Sequence, residues 1–591
     1  MFLRKTERRK DGKTHLYWSV VENRRLDGGR VVQRHVLYLG EINSSQAEAW
    51  RRAIEVFDED AGRSMSLALF SEDRCTLAED GDVVRLRLNE MRLCRPRQWG
   101  ACWLAGVLWR ELQLDRFWAE RLPASRKGTR WADVLQVLAT YRLIDPGSEW
   151  RLHRQWFLDS AMADLLGSDF GLAEAHKLYA CHDKLLKHKQ ALFSHLTQRW
   201  RDLFNASFDV LLYDLTSTYY EVNASDLPEG SKRRHGYSRD KRPDCPQLVI
   251  ALVVTPEGLP LAYEVLPGNT ADSKTLRSFL EKIESQYGKA RRVWVMDRGV
   301  PTEEVLAEMR ASDPPVQYLV GTPKGRLTRL EKRLVDKPWR KAREGVEVKL
   351  LAEGDELYVF AQSADRVSKE RAMRRRQLKW LWARLKKLAE IDVSREERLM
   401  KLGAARSRAP SAWRLVTTAV DKTTGALTYA LDRAKLRKAR RREGRYLLRT
   451  NLTDDDPAEL WQYYIQLVAV EEAFRTLKGD LAIRPVFHQD ETRIEAHLFI
   501  AFLAYCLQIT LTRRLHSLAP GLTARSALAK FAAVQMIDVH LPTTDGRELI
   551  LTRYTQPENE LRLLLERLKL ELPEQSPPKI TAKGLFKEES L

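Results

Sequence analysis

The run FDVLLYDLTSTYYE, residues 208–221, sets a carboxylate in the middle of an apolar strand. Val210, Leu211, Leu212, Tyr213 and Leu215 favour extended structure, and the Thr-rich continuation prolongs it. Asp214 is costly to bury there unless something neutralises it. The surrounding sequence supplies a setting. PQLVIALVVTPEGLPLAYEVLPGN reads as two strands turning at Pro256-Glu257-Gly258, TLRSFLEKIESQYG as a helix, and RRVWVMDRG as a further strand ending at Asp297. Residues 206–310 thus run strand, strand, strand, helix, strand, an α/β pattern. If the first and last strands are neighbours, Asp214 and Asp297 face each other and repel, which raises one pKa. A divalent cation relieves that repulsion, and hard oxygen ligands point to Mg²⁺ or Mn²⁺. Taken singly, Asp297 before Gly299 reads more readily as a turn former, and Asp214 equally as a buried structural residue.

A third acid is expected from YYIQLVAVEEAFRTLKGDLAIRP. At about 100° per residue, Leu467, Val470, Phe474, Leu477 and Leu481 form one apolar stripe. Tyr464, Glu471 and Lys478 are each seven apart and superimpose at the edge of that stripe. Arg475 shares their side, four residues after Glu471. Glu472 points toward solvent. Glu471 is therefore the acid at the boundary of core and cleft, against the plainer reading of a solvated helix face. Three carboxylates on separate elements suit two metal ions about 4 Å apart, the arrangement of two-metal phosphoryl transfer.

The charge balance points the same way. Lys and Arg number 100 against 81 Asp and Glu, a formal excess of +19, which favours an anionic partner, nucleic acid foremost. The helix-like SKERAMRRRQLKWLWARLKKL and the segment LRKARRREG, 436–444, read as DNA-backbone contacts or as solvated faces. The loop HGYSRDKRPD, 235–244, follows the first Asp strand and is expected near the cleft; His235, His488 and His497 read as ordinary structural histidines. Six scattered cysteines without CxxC spacing suit reduced thiols. No uncharged run spans a bilayer, and MFLRKTERRKDGK lacks the apolar segment of a secretory signal, so no membrane and a cytoplasmic location are expected.

The organisation reads as follows. Residues 1–45 form a small basic β-unit, with KTHLYWSVVENRRL and RVVQRHVLYLG joined at Asp27-Gly28-Gly29. Residues 46–205 are mainly helical; 206–310 are the first part of the catalytic core; 311–452 mix strands with the basic helix; 453–545 carry the acidic helix; 546–591 are a C-terminal region and tail.

The chain resembles the bacterial insertion-sequence transposases of the DDE type, and more narrowly the cut-and-paste group with the signature Y-x2-R-x3-E-x6-K. Here the signature reads Tyr464, Leu467, Glu471, Lys478, and YDLTSTYYE, EVLPGNTADSKTL (264–276), VMDRG and VEEAFRTLK are similar to the group's segments. The resemblance implies a ribonuclease-H-like core of α/β class. Between the second Asp and the Glu it implies a β-rich insertion domain. It also implies Asp214, Asp297 and Glu471 as ligands of two ions, and DNA phosphate contacts from Tyr464 and Lys478. Leu467 departs from the signature Arg and falls on the apolar stripe; Arg475 is expected to replace that contact, with Arg484 as a second candidate and Arg298 beside Asp297. The implied partners are double-stranded DNA, as terminal inverted repeats and target, and a second copy of the chain. The implied activity is metal-dependent endonuclease cleavage and strand transfer, that is, DNA transposition and recombination. The rival readings are a metal-dependent nuclease on the same fold, a non-catalytic DNA-binding descendant, and a glycosidase, which the positive charge disfavours.

Overall fold

The computed structural model describes residues 2–10, 13–25, 31–41, 54–58, 63–67 and 84–580, apart from 169, 223–226, 241, 272–274, 288–291, 298–299, 323–329, 331–332, 334–336, 454–455, 485, 487 and 545. The Asp27-Gly28-Gly29 turn and Arg298 therefore lie outside the described residues. The chain divides into two compact units, one of residues 190–476 and one of residues 1–189 with 477–591.

The unit 190–476 is built on one sheet. Its strands are β1 (Val210–Tyr219), β2 (Gln247–Val254), β3 (Pro260–Pro267), β4 (Val293–Met296), β5 (Gln317–Gly321), β6 (Arg340–Arg343), β7 (Val346–Glu353), β8 (Glu356–Ser363) and β9 (Arg445–Thr450). The order across the sheet is β3-β2-β1-β4-β5-β9-β8-β7-β6. β1 to β3 form an antiparallel meander, whose β2–β3 turn uses Gly258 at a φ of 85°, where a side chain would strain the backbone. The chain then crosses through helix α1 (Leu276–Tyr287) and returns as β4, parallel to β1, followed by α2 (Glu303–Ala311) and the parallel β5. This mixed five-stranded sheet with helical crossovers is a ribonuclease-H-like core. Every residue of β2 and β4 is buried, because both faces of the sheet are covered.

Residues 311–452 mix strands with helices rather than being dominated by strands, and four of their strands extend that core sheet: β9 pairs antiparallel with β5, and β8, β7 and β6 follow. The junction is held by a buried polar network. The Glu356 carboxylate of β8 accepts from Arg449 Nε of β9 at 2.6 Å, from Arg310 of α2 at 2.7 Å, and from the Tyr318 hydroxyl of β5. Arg449 also donates to Glu303 at 2.7 and 2.8 Å. Beyond the sheet, α3 (Ala364–Glu390) and α4 (Arg395–Arg408) pack with the hairpin 416–431 through Leu381, Leu385, Leu388 and Leu402. The basic segment at 436–444 forms most of the exposed helix α5 (Arg433–Arg441). Its cationic faces stay in solvent while the Leu stripe of α3 is buried, the amphipathic division that the spacing predicts.

The other unit is mainly helical. Its N-terminal portion contains three antiparallel strands, Phe2–Lys10, Lys13–Arg25 and Val31–Glu41. The last two match the predicted pair; the first, FLRKTERRK, carries too many charges to read as a strand from sequence. The helix Glu491–Leu518 is long and apolar enough to cross a membrane, but most of its residues are buried within this unit, as in the core helix of a globular domain. Gly100 opens the helix Gly100–Glu111 under close backbone contact: a Cβ there would lie 2.2 Å from the Phe531 carbonyl oxygen. Arg97 and Asp538 form a buried two-point pair at 2.9 and 3.0 Å. Burial pushes the Asp538 carboxyl up, but hydrogen bonds from Arg97 and Thr552 and the Arg97 charge outweigh it, so its pKa is lowered. A depressed carboxylate pKa stabilises the fold above the unfolded value near 4, and that stability is lost as pH falls through the folded value. Asp538→Asn is expected to cost about 1.5–3 kcal/mol at pH 7, with the difference shrinking in acid; denaturant titration of both proteins across pH reads it.

Candidate active site

The parallel pairing of β1 and β4 fixes the first two carboxylates. Met296 is in register with Tyr213, so the next residues, Asp297 and Asp214, stand side by side where β4 ends and β1 continues. Strands in such a sheet alternate their side chains. Tyr213 turns to the α1 side, where it packs on Phe279 with ring centroids 5.2 Å apart and donates to Thr275 at 2.8 Å. Asp214 turns to the opposite face. It is half-buried, whereas Asp297 is exposed.

The acidic segment is two helices rather than one. α6 (Pro457–Ile465) and α7 (Leu467–Lys478) are separated at Gln466, whose backbone N–H bonds the carbonyl of Tyr463 rather than the residue four back. The prediction that Tyr464, Glu471 and Lys478 superimpose on a single helix is therefore corrected. Tyr464 belongs to α6, half-buried and stacked on Tyr446 at 5.8 Å. Glu471 and the half-buried Lys478 belong to α7. The apolar stripe holds: Leu467, Val470, Phe474, Leu477 and Leu481 are all buried. Glu471 and Glu472 are both exposed. Arg475 bonds Glu472 at 2.8 Å, so in this structure it pairs with that acid rather than reaching past Glu471. Arg484 is half-buried.

Electrostatics bring the three acids together. The Asp214 carboxyl is pushed up to about 7, first by burial and then by the negative charges of Asp297 and Glu471; a backbone hydrogen bond at Leu215 and the Arg239 charge act against this. An acid with that value is half-protonated at neutral pH, chiefly because it is buried, with the two neighbouring negative charges adding to the shift. The donors are all carboxylate oxygens, and a hard divalent cation fits such a set. Arg239 is the residue that sequence reasoning passed over. It lies in the loop 235–244, and its backbone N–H bonds Ser217 Oγ of β1 at 3.2 Å, three residues beyond Asp214. The loop's expected proximity to the cleft thus holds for Arg239. His235 of the same loop is exposed, with Nδ1 3.3 Å from the Pro243 carbonyl.

Two glycines let that loop lie close to the sheet. Arg234 and Gln247 exchange backbone hydrogen bonds at 3.1 and 3.0 Å. A Cβ on Gly268 would sit 1.9 Å from the Gln247 carbonyl oxygen and 2.3 Å from that of Arg234; one on Gly236 would sit 2.0 Å from the Gly268 oxygen. Backbone atoms on both sides leave no cheap relaxation. Gly268→Ala is expected to displace the Arg239 loop and slow the reaction at these acids by up to about 10²-fold, the scale of an ångström misplacement. Gly403→Ala, in α4 with open space around it, serves as the neutral control, with rates normalised to folded protein.

His488 and His497, which read as structural, are buried in the helical unit against Glu149 and His182. The described cysteines, Cys94, Cys102, Cys181, Cys245 and Cys506, are free thiols.

Comparison with known proteins adds the family. The model of the transposase DDE domain matches residues 217–507, and that of the IS1634 family transposase N-terminal domain matches residues 3–64. No curated protein sequence matches. Among solved structures, a piggyBac transposase synaptic complex with hairpin DNA is 8% identical over 72% of this chain and 79% of that one, with a TM-score of 0.36. A Mos1 transposase paired-end complex is 11% identical over 30% and 56%, with a TM-score of 0.13. Both likenesses are too distant to carry an argument. The two family matches together take in the basic β-unit and most of the core that holds the carboxylates, and the chain belongs to the insertion-sequence DDE transposases.

Proposed function

We propose that Asp214, Asp297 and Glu471 are the catalytic carboxylates and together hold two divalent ions, Mg²⁺ or Mn²⁺. The observation that carries this is the β1–β4 register, which sets Asp297 beside Asp214, with the charges of Asp297 and Glu471 both acting on the Asp214 carboxyl. Asp214, Asp297 and Glu471 would hold the ions, whose chemistry would be to activate a water or 3′-hydroxyl and to stabilise the leaving oxygen of a phosphodiester. The chain's own groups do the rest. Asp214, fixed in a sheet strand, sets the floor of the site; Asp297 and Glu471, both exposed, present their oxygens to an incoming backbone. Tyr464, Lys478, Arg475 and Arg298 contact phosphate, Arg475 after leaving Glu472. Arg239 offsets negative charge beside Asp214. The DNA is the transposon's terminal inverted repeats and then a target duplex, bound by a homodimer in the cytoplasm, since two ends have to be brought together. The domain boundaries 1–45, 46–205, 206–310, 311–452, 453–545 and 546–591 divide these tasks, with end recognition by the basic N-terminal unit.

The test is cleavage of DNA carrying the sequences that flank the gene, with Mg²⁺ or with EDTA, followed by addition of target DNA. Metal-dependent cuts at inverted repeats and joined products are expected. Cuts without joining would make the protein a nuclease, and binding without cutting would make it a DNA-binding descendant. Glu471→Ala and Glu472→Ala separate the neighbouring acids. Glu471→Ala is expected to abolish cleavage and Glu472→Ala to leave it within about twofold, the scale of an exposed i,i+3 ion pair; the reverse result would move the site by one residue.

A further inference from the structure

The helical unit holds a second constellation that the transposition chemistry does not use. Glu149, on the turn after Asp145-Pro146-Gly147, His182 at the end of Ala175–His182, His488, and His497 in Glu491–Leu518 are all buried, with one ligand atom of each within 4.8 Å of the others. Three imidazoles converge on one oxygen. Glu149 Oε1 lies 3.3 Å from His182 Nε2, 3.3 Å from His488 Nε2 and 3.6 Å from His497 Nδ1. Strong charge-assisted N–H···O⁻ bonds are shorter, about 2.7–2.9 Å. A zinc ion with bonds of about 2.0–2.1 Å has tetrahedral ligand–ligand edges of about 3.3 Å.

The hydrogen bonding agrees. His182 Nδ1 is 2.9 Å from the Leu178 carbonyl oxygen and donates to it. In the neutral ring Nε2 then carries a lone pair, and it faces the Glu149 oxygen with no hydrogen-bond partner. Two lone pairs in a dry site repel unless a positive centre lies between them. A backbone carbonyl holding the far nitrogen is also the usual way a ligating imidazole is oriented. His497 presents its other nitrogen, Nδ1, to the Glu149 oxygen. Arg142 lies 3.5 Å from His497 Nδ1 and 4.0 Å from the Glu149 oxygen. It competes for that nitrogen, which makes His497 the weakest of the four ligands.

We propose that Glu149, His182, His488 and His497 form a buried structural site for one zinc ion, which clamps the two chain segments, 1–189 and 477–591, that make up the helical unit. Imidazole and carboxylate in a closed four-ligand set suit zinc, and burial leaves no open position for substrate. The clamp ties residues more than 300 positions apart, where loop-closure entropy is large.

The test uses the full-length protein loaded with zinc and passed over a chelating resin, with metal counted per chain. One retained zinc is expected in wild type and in Asp214→Ala, and a loss of that equivalent in His182→Ala and in His488→Ala. To keep the test independent of how those variants fold, wild type is also loaded with cobalt(II), where intense visible bands of a four-coordinate ion are expected. Wild type that retains neither metal, a cobalt spectrum of the weak six-coordinate kind, or a full zinc equivalent in both histidine variants would each overturn the site. Loss of zinc in Asp214→Ala would overturn it too, by assigning the ion to the catalytic carboxylates.

Discussion

Asp214→Asn is expected to lower DNA cleavage by at least about 10³-fold while the protein still binds end DNA. Metal-borne charge stabilisation is worth several kcal/mol, and each 1.36 kcal/mol is a factor of ten in rate. Asparagine keeps the shape of the side chain within β1, so the strand register survives. The substitution also separates catalysis from folding. In the metal-free protein the Asp214 carboxyl titrates at about 7, above its unfolded value near 4. A raised carboxyl pKa means that the folded state binds more protons, so wild-type stability falls as pH rises from about 4 to about 7. The asparagine variant lacks that slope. Denaturant midpoints in EDTA across this range, beside cleavage rates in Mg²⁺, should show a variant that is inactive yet at least as stable as wild type at pH 8. A variant that cut DNA at the wild-type rate would remove Asp214 from the site.

Glu356→Ala is expected to destabilise the unit 190–476 by about 3–5 kcal/mol, the range for breaking a buried ion pair from one side. The loss leaves Arg449 with Glu303 alone and strips Arg310 and the Tyr318 hydroxyl of a shared acceptor. Glu356→Gln keeps an acceptor oxygen and should cost less. Urea unfolding of the two variants, with cleavage measured at matched folded fraction, distinguishes a seam from a catalytic part. An alanine variant as stable as wild type would show that the network is not holding β5, β8 and β9 together.

The sequence made the carboxylates legible for different reasons. Asp214 stood out because it breaks the hydropathy of its own strand. Asp297 gained meaning only through the β1–β4 register, which strand order implied and the structure shows. Glu471 came from helical periodicity, and the stripe that located it is buried. The interruption at Gln466 was invisible because no Pro or Gly marks it; it is a local backbone choice made among surrounding contacts. The continuation of the core sheet through β9 was equally hidden, since pairing between β5 and β9 joins residues 319–321 to 448–450 and no local pattern encodes such a partner. The Glu149 cluster draws its four members from positions 149, 182, 488 and 497, with none of the short spacings that announce a metal site.

The shared sheet also limits how this enzyme can be shortened. β5 hydrogen-bonds β4 on one side and β9 on the other. Excising 322–452 to reach a minimal nuclease would bare one whole margin of β5, a row of unpaired amides and carbonyls in an apolar strand, and such a margin recruits strands from other molecules. A trimmed protein of that kind should come out of expression as aggregate unless its new border is capped with charge or proline. Loss of the insertion during evolution would meet the same solubility barrier before any question of DNA chemistry arose.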